Sequence, residues 1–124
     1  LELTEEFLCC KKIAVAGSYC NTSKVAYRIL KKLTSEGHEV FPVTLSIKEV
    51  EGIKCYKSVL DIPGQIDAID LVTPPPATEK IVRDCLKKGI KMVWMQPGAE
   101  SEEAIKFCEE NNIKVVHNTC VLTF

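Results

Sequence analysis

Apolar positions along the chain fall into two alternating patterns. Ile13-Ala14-Val15-Ala16 is an uninterrupted apolar run that stops at Gly17, as expected of a strand buried on both faces. Val25, Ala26, Ile29, Leu30 and Leu33 then recur at helical spacing, and the capping types Asn21, Thr22 and Ser23 stand just ahead of them. Glu36-Gly37 closes this helix, because glycine accepts the left-handed conformation at its end. Val40 to Thr44 predicts a second strand, with Pro42 at its ladder edge or entry. The pattern weakens from Ser46 to Gly64: Gly52 to Tyr56 reads as a short edge strand, and Ser58 to Pro63 as one helical turn stopped by proline.

Ala68 to Thr73 predicts the third main strand, and Pro74-Pro75-Pro76 must take the chain out of the sheet. Proline suits the first turn of a helix, and Ile81, Val82, Cys85 and Leu86 then face the sheet until Gly89. Lys91 to Gln96 is a fourth strand. A helix capped by Ser101 follows, with Glu102 and Glu103 on its positive end, and Asn111-Asn112 ends it. Lys114 to His117 forms a last strand, with His117 read as a packed core residue. At the front, Thr4 to Leu8 predicts a short helix that packs Leu3, Phe7 and Leu8 on the domain.

Strands alternating with helices predict an α/β fold: a three-layer, doubly wound parallel sheet of five main strands, plus the short edge strand. Residues 1–124 are enough for one domain with an ordinary core, given 46% apolar content. Ligands of such sheets sit at the carboxyl ends of the strands, where strand order reverses. The loops reaching that edge begin near Gly17, Thr44, Thr73, Gln96 and Asn118, and they are rich in Gly, Pro, Ser, Thr, Asn and Gln. None offers an acid paired with a histidine. The edge is suited to holding a ligand more than to transforming one.

Charge narrows the ligand. Sixteen basic and 17 acidic residues leave a net charge of −1, so nucleic acid is not an expected partner. No apolar run approaches the roughly 20 residues of a membrane span, and no signal peptide is visible. The first residue is Leu1 rather than methionine, which leaves room for residues ahead of it. Seven cysteines, odd in number and without a C-x-x-C, read as thiols in a reducing cytoplasm. His117 and Cys120 lack a second ligand pair, so no metal site is expected.

The strand, glycine turn and capped helix of residues 11–33 form the first half of a βαβ unit, whose free helix amides can hold a phosphate. The turn has Gly17 but not the G-x-G-x-x-G of dinucleotide sites, and no acid follows Val43 to grip an NAD ribose. A nucleotide with extra phosphate fits Lys24 and Lys48 better. A turn that binds nothing is the plain alternative.

Taken together, these pieces resemble the small stand-alone CoA-binding proteins, whose Rossmann-like fold is shared with the N-terminal domain of the succinyl-CoA synthetase alpha subunit. The carrying stretches are Ile13 to Ser18 with Asn21 to Lys24 and Tyr27-Arg28, then Val40 to Val43, Gly52 to Tyr56, Asp61 to Pro63 with Ile66-Asp67, Trp94 to Gly98, and Asn118 to Cys120. The resemblance implies coenzyme A as ligand. Gly17, Ser18, Asn21, Thr22, Ser23 and Lys24 would hold its diphosphate. The loop after Val43, with Thr44 and Lys48, would meet the adenosine end, and Thr73, Pro74 and Pro75 would flank the nucleotide. Gln96, Gly98 and Asn118 would lie toward the pantetheine arm, with Cys120 as the nearer neighbour of the CoA sulfur.

The chain departs from that family at two points. Thr44-Leu45-Ser46 stands where stand-alone members tend to carry Asn-Pro-Lys, and Thr73-Pro74-Pro75 where they tend to carry arginines. Lys48 is the nearest substitute for the first lost cation. The phosphohistidine of the synthetases belongs to a further domain, so the resemblance implies binding of CoA or an acyl-CoA without catalysis, by a carrier or sensor that a homodimer would also accommodate. The competing readings are an NAD(H)-binding redox sensor, a CoA-thiol exchange protein using Cys20 or Cys120, and an interaction protein with a vestigial cleft.

Overall fold

A computed structural model of the protein describes residues 2–124; Leu1 lies outside them. Five parallel strands form the central sheet: β1 (Lys12–Ala16), β2 (Glu39–Val43), β5 (Ala68–Leu71), β6 (Met92–Met95) and β7 (Lys114–Val116). Their spatial order is β2-β1-β5-β6-β7. The chain therefore leaves β1 in one direction to lay β2, then crosses back over β1 to place β5 on its other side. This five-stranded parallel sheet agrees with the α/β fold that the sequence spacing predicts, and the architecture is Rossmann-like.

Strand geometry sends alternate side chains to opposite faces. Ile13 and Val15 of β1, with Met92 and Trp94 of β6, meet Ala26, Ile29, Leu30 and Leu33 of α2 (Val25–Ser35) on one face. Ala14 and Ala16, with Ile69, Leu71, Val93 and Met95, meet Val82 and Cys85 of α3 (Pro75–Lys88) and Ala104 and Cys108 of α4 (Glu102–Glu110) on the other. The first face also carries Phe7 of α1 (Leu3–Leu8) and Val121 of a closing 3-10 turn, Val121–Thr123. Small alanines on the α3 side of β1 leave room at that strand's end.

Several local features differ from the sequence pattern. The region after β2 is not a lone edge strand: β3 (Glu49–Val50) and β4 (Ile53–Lys54) form a small antiparallel hairpin. Its turn residue Glu51 has φ 51°, and it accepts hydrogen bonds from Tyr27 (2.6 Å) and Lys31 (2.8 Å), which clasps the hairpin to α2. A bridge from Val43 to Tyr56 carries the chain back along β2. Helix α2 begins at Val25, but Lys24 rather than a capping type is its N-cap, because Asn21 spends its side-chain oxygen on the Ser23 amide (3.0 Å) and hydroxyl (2.5 Å). Leu3 and Leu86 stay partly exposed instead of packing inward. His117 lies beyond the end of β7 and is only half-buried, so it is not a core residue.

Candidate functional site

Reversal of strand order between β1 and β5 leaves a crevice at their carboxyl ends. A cleft of about 460 Å³ occupies it, within the range of small-ligand sites. Its floor is Ala16, Gly17, Val43 and Val72. One bank is the loop after β2, Thr44 to Ser46, backed by Lys57, Ser58 and Val59; the other is α3, through Ala77, Lys80, Ile81 and Asp84. These α3 positions recur at helical spacing and form one stripe along the helix. None of the lining residues is a histidine or cysteine.

The turn at Gly17 is fixed by packing. A Cβ there would lie 2.8 Å from the Ala26 Cβ and 3.0 Å from the Val72 carbonyl oxygen, closer than a side chain tolerates. Glycine thus lets β1 turn into α2 while pressed against the end of β5. The Gly17 amide donates to the Val43 carbonyl at 3.1 Å, which ties this turn to the end of β2. Helix α2 follows with Lys24 at its N-cap and no side chain capping its first amides. Those amides, with the helix dipole, can accept a phosphate.

Tyr19 anchors the turn from beneath. It is buried, and its hydroxyl donates to the Val15 carbonyl at 2.6 Å. Sequence reasoning missed this residue, since a tyrosine in a polar loop carries no periodic signal. Ser18 and Cys20 stay exposed, the serine hydroxyl 3.5 Å from the thiol.

Of the residues singled out from sequence, Gly17, Ser18, Val43, Thr44, Thr73 and Pro74 line the cleft together. Asn21, Thr22, Ser23 and Lys24 form the exposed turn that leads into α2, and Pro75 is the first residue of α3. Lys48 is exposed but outside the lining, its carbonyl accepting the Cys55 amide at 2.9 Å in the hairpin. Gly98 sits in the exposed turn after β6 with φ 94°. Asn118, also left-handed at φ 66°, donates its amide to Glu100 Oε2 at 2.6 Å. Cys120 is half-buried in the C-terminal segment, away from the cleft lining.

Gln96 belongs to a network on the α2 side of the sheet. It is buried, donates from Nε2 to Asp70 Oδ2 at 2.9 Å, and accepts the Val121 amide on Oε1 at 3.2 Å. Asp70 stands fully buried in central strand β5, and its Oδ1 has no hydrogen-bond partner. Burial drives its carboxyl well above the usual range, with the Gln96 hydrogen bond opposing. Desolvation likewise raises Tyr19, helped by Asp70. Burial pushes the Cys108 thiol up to about 12 and Cys85 higher still. Both behave as small packed hydrophobes.

A glycine turn, an uncapped helix N-terminus and a cleft at the strand-reversal point are features of a Rossmann-like α/β domain. Residues 11–124 match the model of the CoA binding domain, and the chain belongs to that family. It is 34% identical over 119 residues to an ADP-forming acetate–CoA ligase of Methanocaldococcus jannaschii, a match that covers 90% of this chain and 17% of the ligase. It is also 26% identical to the uncharacterized protein YneT of Bacillus subtilis, covering 90% of this chain and 82% of that protein. Among solved structures, a hypothetical protein from Pyrococcus horikoshii superposes with a TM-score of 0.93 at 37% identity, over 99% of this chain and 89% of that one. The chain thus spans only a small part of the ligase it matches. No helix among the described residues is long and apolar enough to cross a membrane.

Proposed function

We propose that the protein binds coenzyme A, free or acylated, in the cleft between β1, β2 and β5, and does so without transforming it. The carrying observation is the cleft itself, which joins the Gly17-Ser18 turn to an apolar trough of Val43, Val59, Val72 and Ile81. The diphosphate fits the uncapped amides of α2, and the adenine fits the trough between the β2 loop and α3. Membership in the CoA-binding family supports the same ligand. Thr44-Leu45-Ser46 provides hydroxyls and an aliphatic side chain but no carboxylate for an NAD ribose.

Saturating CoA is expected to raise the melting temperature. At a hundred times its dissociation constant a ligand contributes about 2.7 kcal/mol, which for a domain of this size is a shift on the order of 5–10 °C. NADH at equal concentration should give a smaller shift. Thermal scans with each ligand decide the matter, and a larger response to NADH would reject the assignment.

A further inference from the structure

Taking coenzyme A as the ligand of the cleft, we propose that Lys57 and Lys80 form the subsite for its ribose 3′-phosphate. This phosphate distinguishes CoA from its dephosphorylated precursor and from other adenine nucleotides. The loop after β2 supplies no cation to it: Thr44 Oγ1 and Ser46 Oγ lie 3.2 Å apart, and Leu45 between them is 81% exposed. Lys48 falls outside the cleft. The charged residues that do line it are Lys57, Lys80 and Asp84.

The two lysines stand on opposite banks. Lys57 follows the hairpin and precedes Ser58, whose hydroxyl caps the 3-10 turn Val59–Asp61, so its backbone is held. Lys80 projects from α3 in the stripe that includes Ala77 and Ile81. Among the described residues neither lysine enters an ion pair, although Lys31, Lys32, Arg83 and Lys114 all do. Both are exposed at the cleft. A phosphate monoester carries about −1.5 to −2 charges at neutral pH, and an ammonium on a long stem can meet it as a point charge. Asp84 lies one helical turn beyond Lys80 and repels a phosphate displaced further along α3. That confines the dianion to the Lys57–Lys80 end.

The test is calorimetric titration of the wild-type protein and the K57A/K80A double variant with CoA and with dephospho-CoA. The wild type is expected to prefer CoA by about tenfold, equivalent to roughly 1.4 kcal/mol and in line with two solvent-screened charge contacts. In the double variant the ratio of the two affinities should fall to near one. Raising the salt concentration should shrink the wild-type ratio in the same direction. A preference that survives in K57A/K80A, or that collapses in K48A instead, overturns the assignment. Equal affinities in the wild type would remove the subsite and leave CoA binding standing. Failure of both ligands to bind would remove the reading of the cleft, and the subsite with it.

Discussion

Replacing Trp94 by alanine is expected to cost about 3–5 kcal/mol, the range for deleting a fully buried large aromatic. Trp94 is completely buried in β6 and receives two other rings edge-on. Phe7 of α1 lies at 5.1 Å and Phe124 at 5.5 Å between ring centroids. Its indole nitrogen donates to the Thr119 carbonyl at 2.9 Å. One side chain therefore holds both α1 and the C-terminal segment on the sheet. Against a typical net stability of about 5–15 kcal/mol, such a loss is a large fraction. Chemical denaturation measures it, and amide exchange should show α1 and residues 117–124 losing protection first. Trp94→Phe keeps an aromatic ring between Phe7 and Phe124 and forfeits the hydrogen bond and part of the indole's volume, so it should cost less. A Trp94→Ala loss below about 1 kcal/mol would mean that the rings close over the gap.

The second large effect concerns pH. Asp70 has a native pKa raised by burial, while in the unfolded chain it titrates near 3.9. Above about pH 4 the native state therefore retains a proton that the unfolded state has released. Stability falls as pH rises, with a limiting slope of about 1.4 kcal/mol per pH unit, until the pH reaches the raised native value. Below about pH 4 both states are protonated and this penalty vanishes. Asp70→Asn keeps an oxygen for the Gln96 amide and removes the titration. The variant should gain on the wild type progressively as the pH rises from 5 to 7. Denaturation curves of both proteins across that window give the difference directly. A difference that does not change with pH would show that Asp70 is ionised in the native state.

These two residues also show where sequence reading stops. Apolar runs and helical spacing identified β1, α2, β5, α3, β6 and α4, because each element buries its own periodic face. The capping types Asn21 to Ser23 do not cap α2, since Asn21 bonds Ser23 locally and Lys24 stands at the N-cap. Asp70 could be seen inside an apolar strand, but its partner Gln96 comes from another strand, and only the register of β5 on β6 brings them together. Gly17, Ser18, Val43, Thr44, Thr73 and Pro74 were legible as neighbours in one crevice because strand ends and the loops after them share that edge of the sheet. Lys80 and Asp84 were not, although the spacing 77, 80, 81, 84 would have revealed a common helix face. Lys57 had no local signal, because a hairpin folds it back to the cleft.

The junction of β1 and β5 has a kinetic corollary. Lys12 donates its amide to the Asp67 carboxylate and accepts the Asp67 amide, each at 2.9 Å, across a separation of 55 residues. Closing so long a loop is a late reward for an early entropic cost. The cleft is assembled from the ends of β1, β2 and β5, so it cannot exist before that closure is complete. Ligand then meets only the finished sheet and leaves the climb to the transition state untouched. Its stabilisation should appear as slower escape from the native state, with the refolding limb of the chevron unmoved.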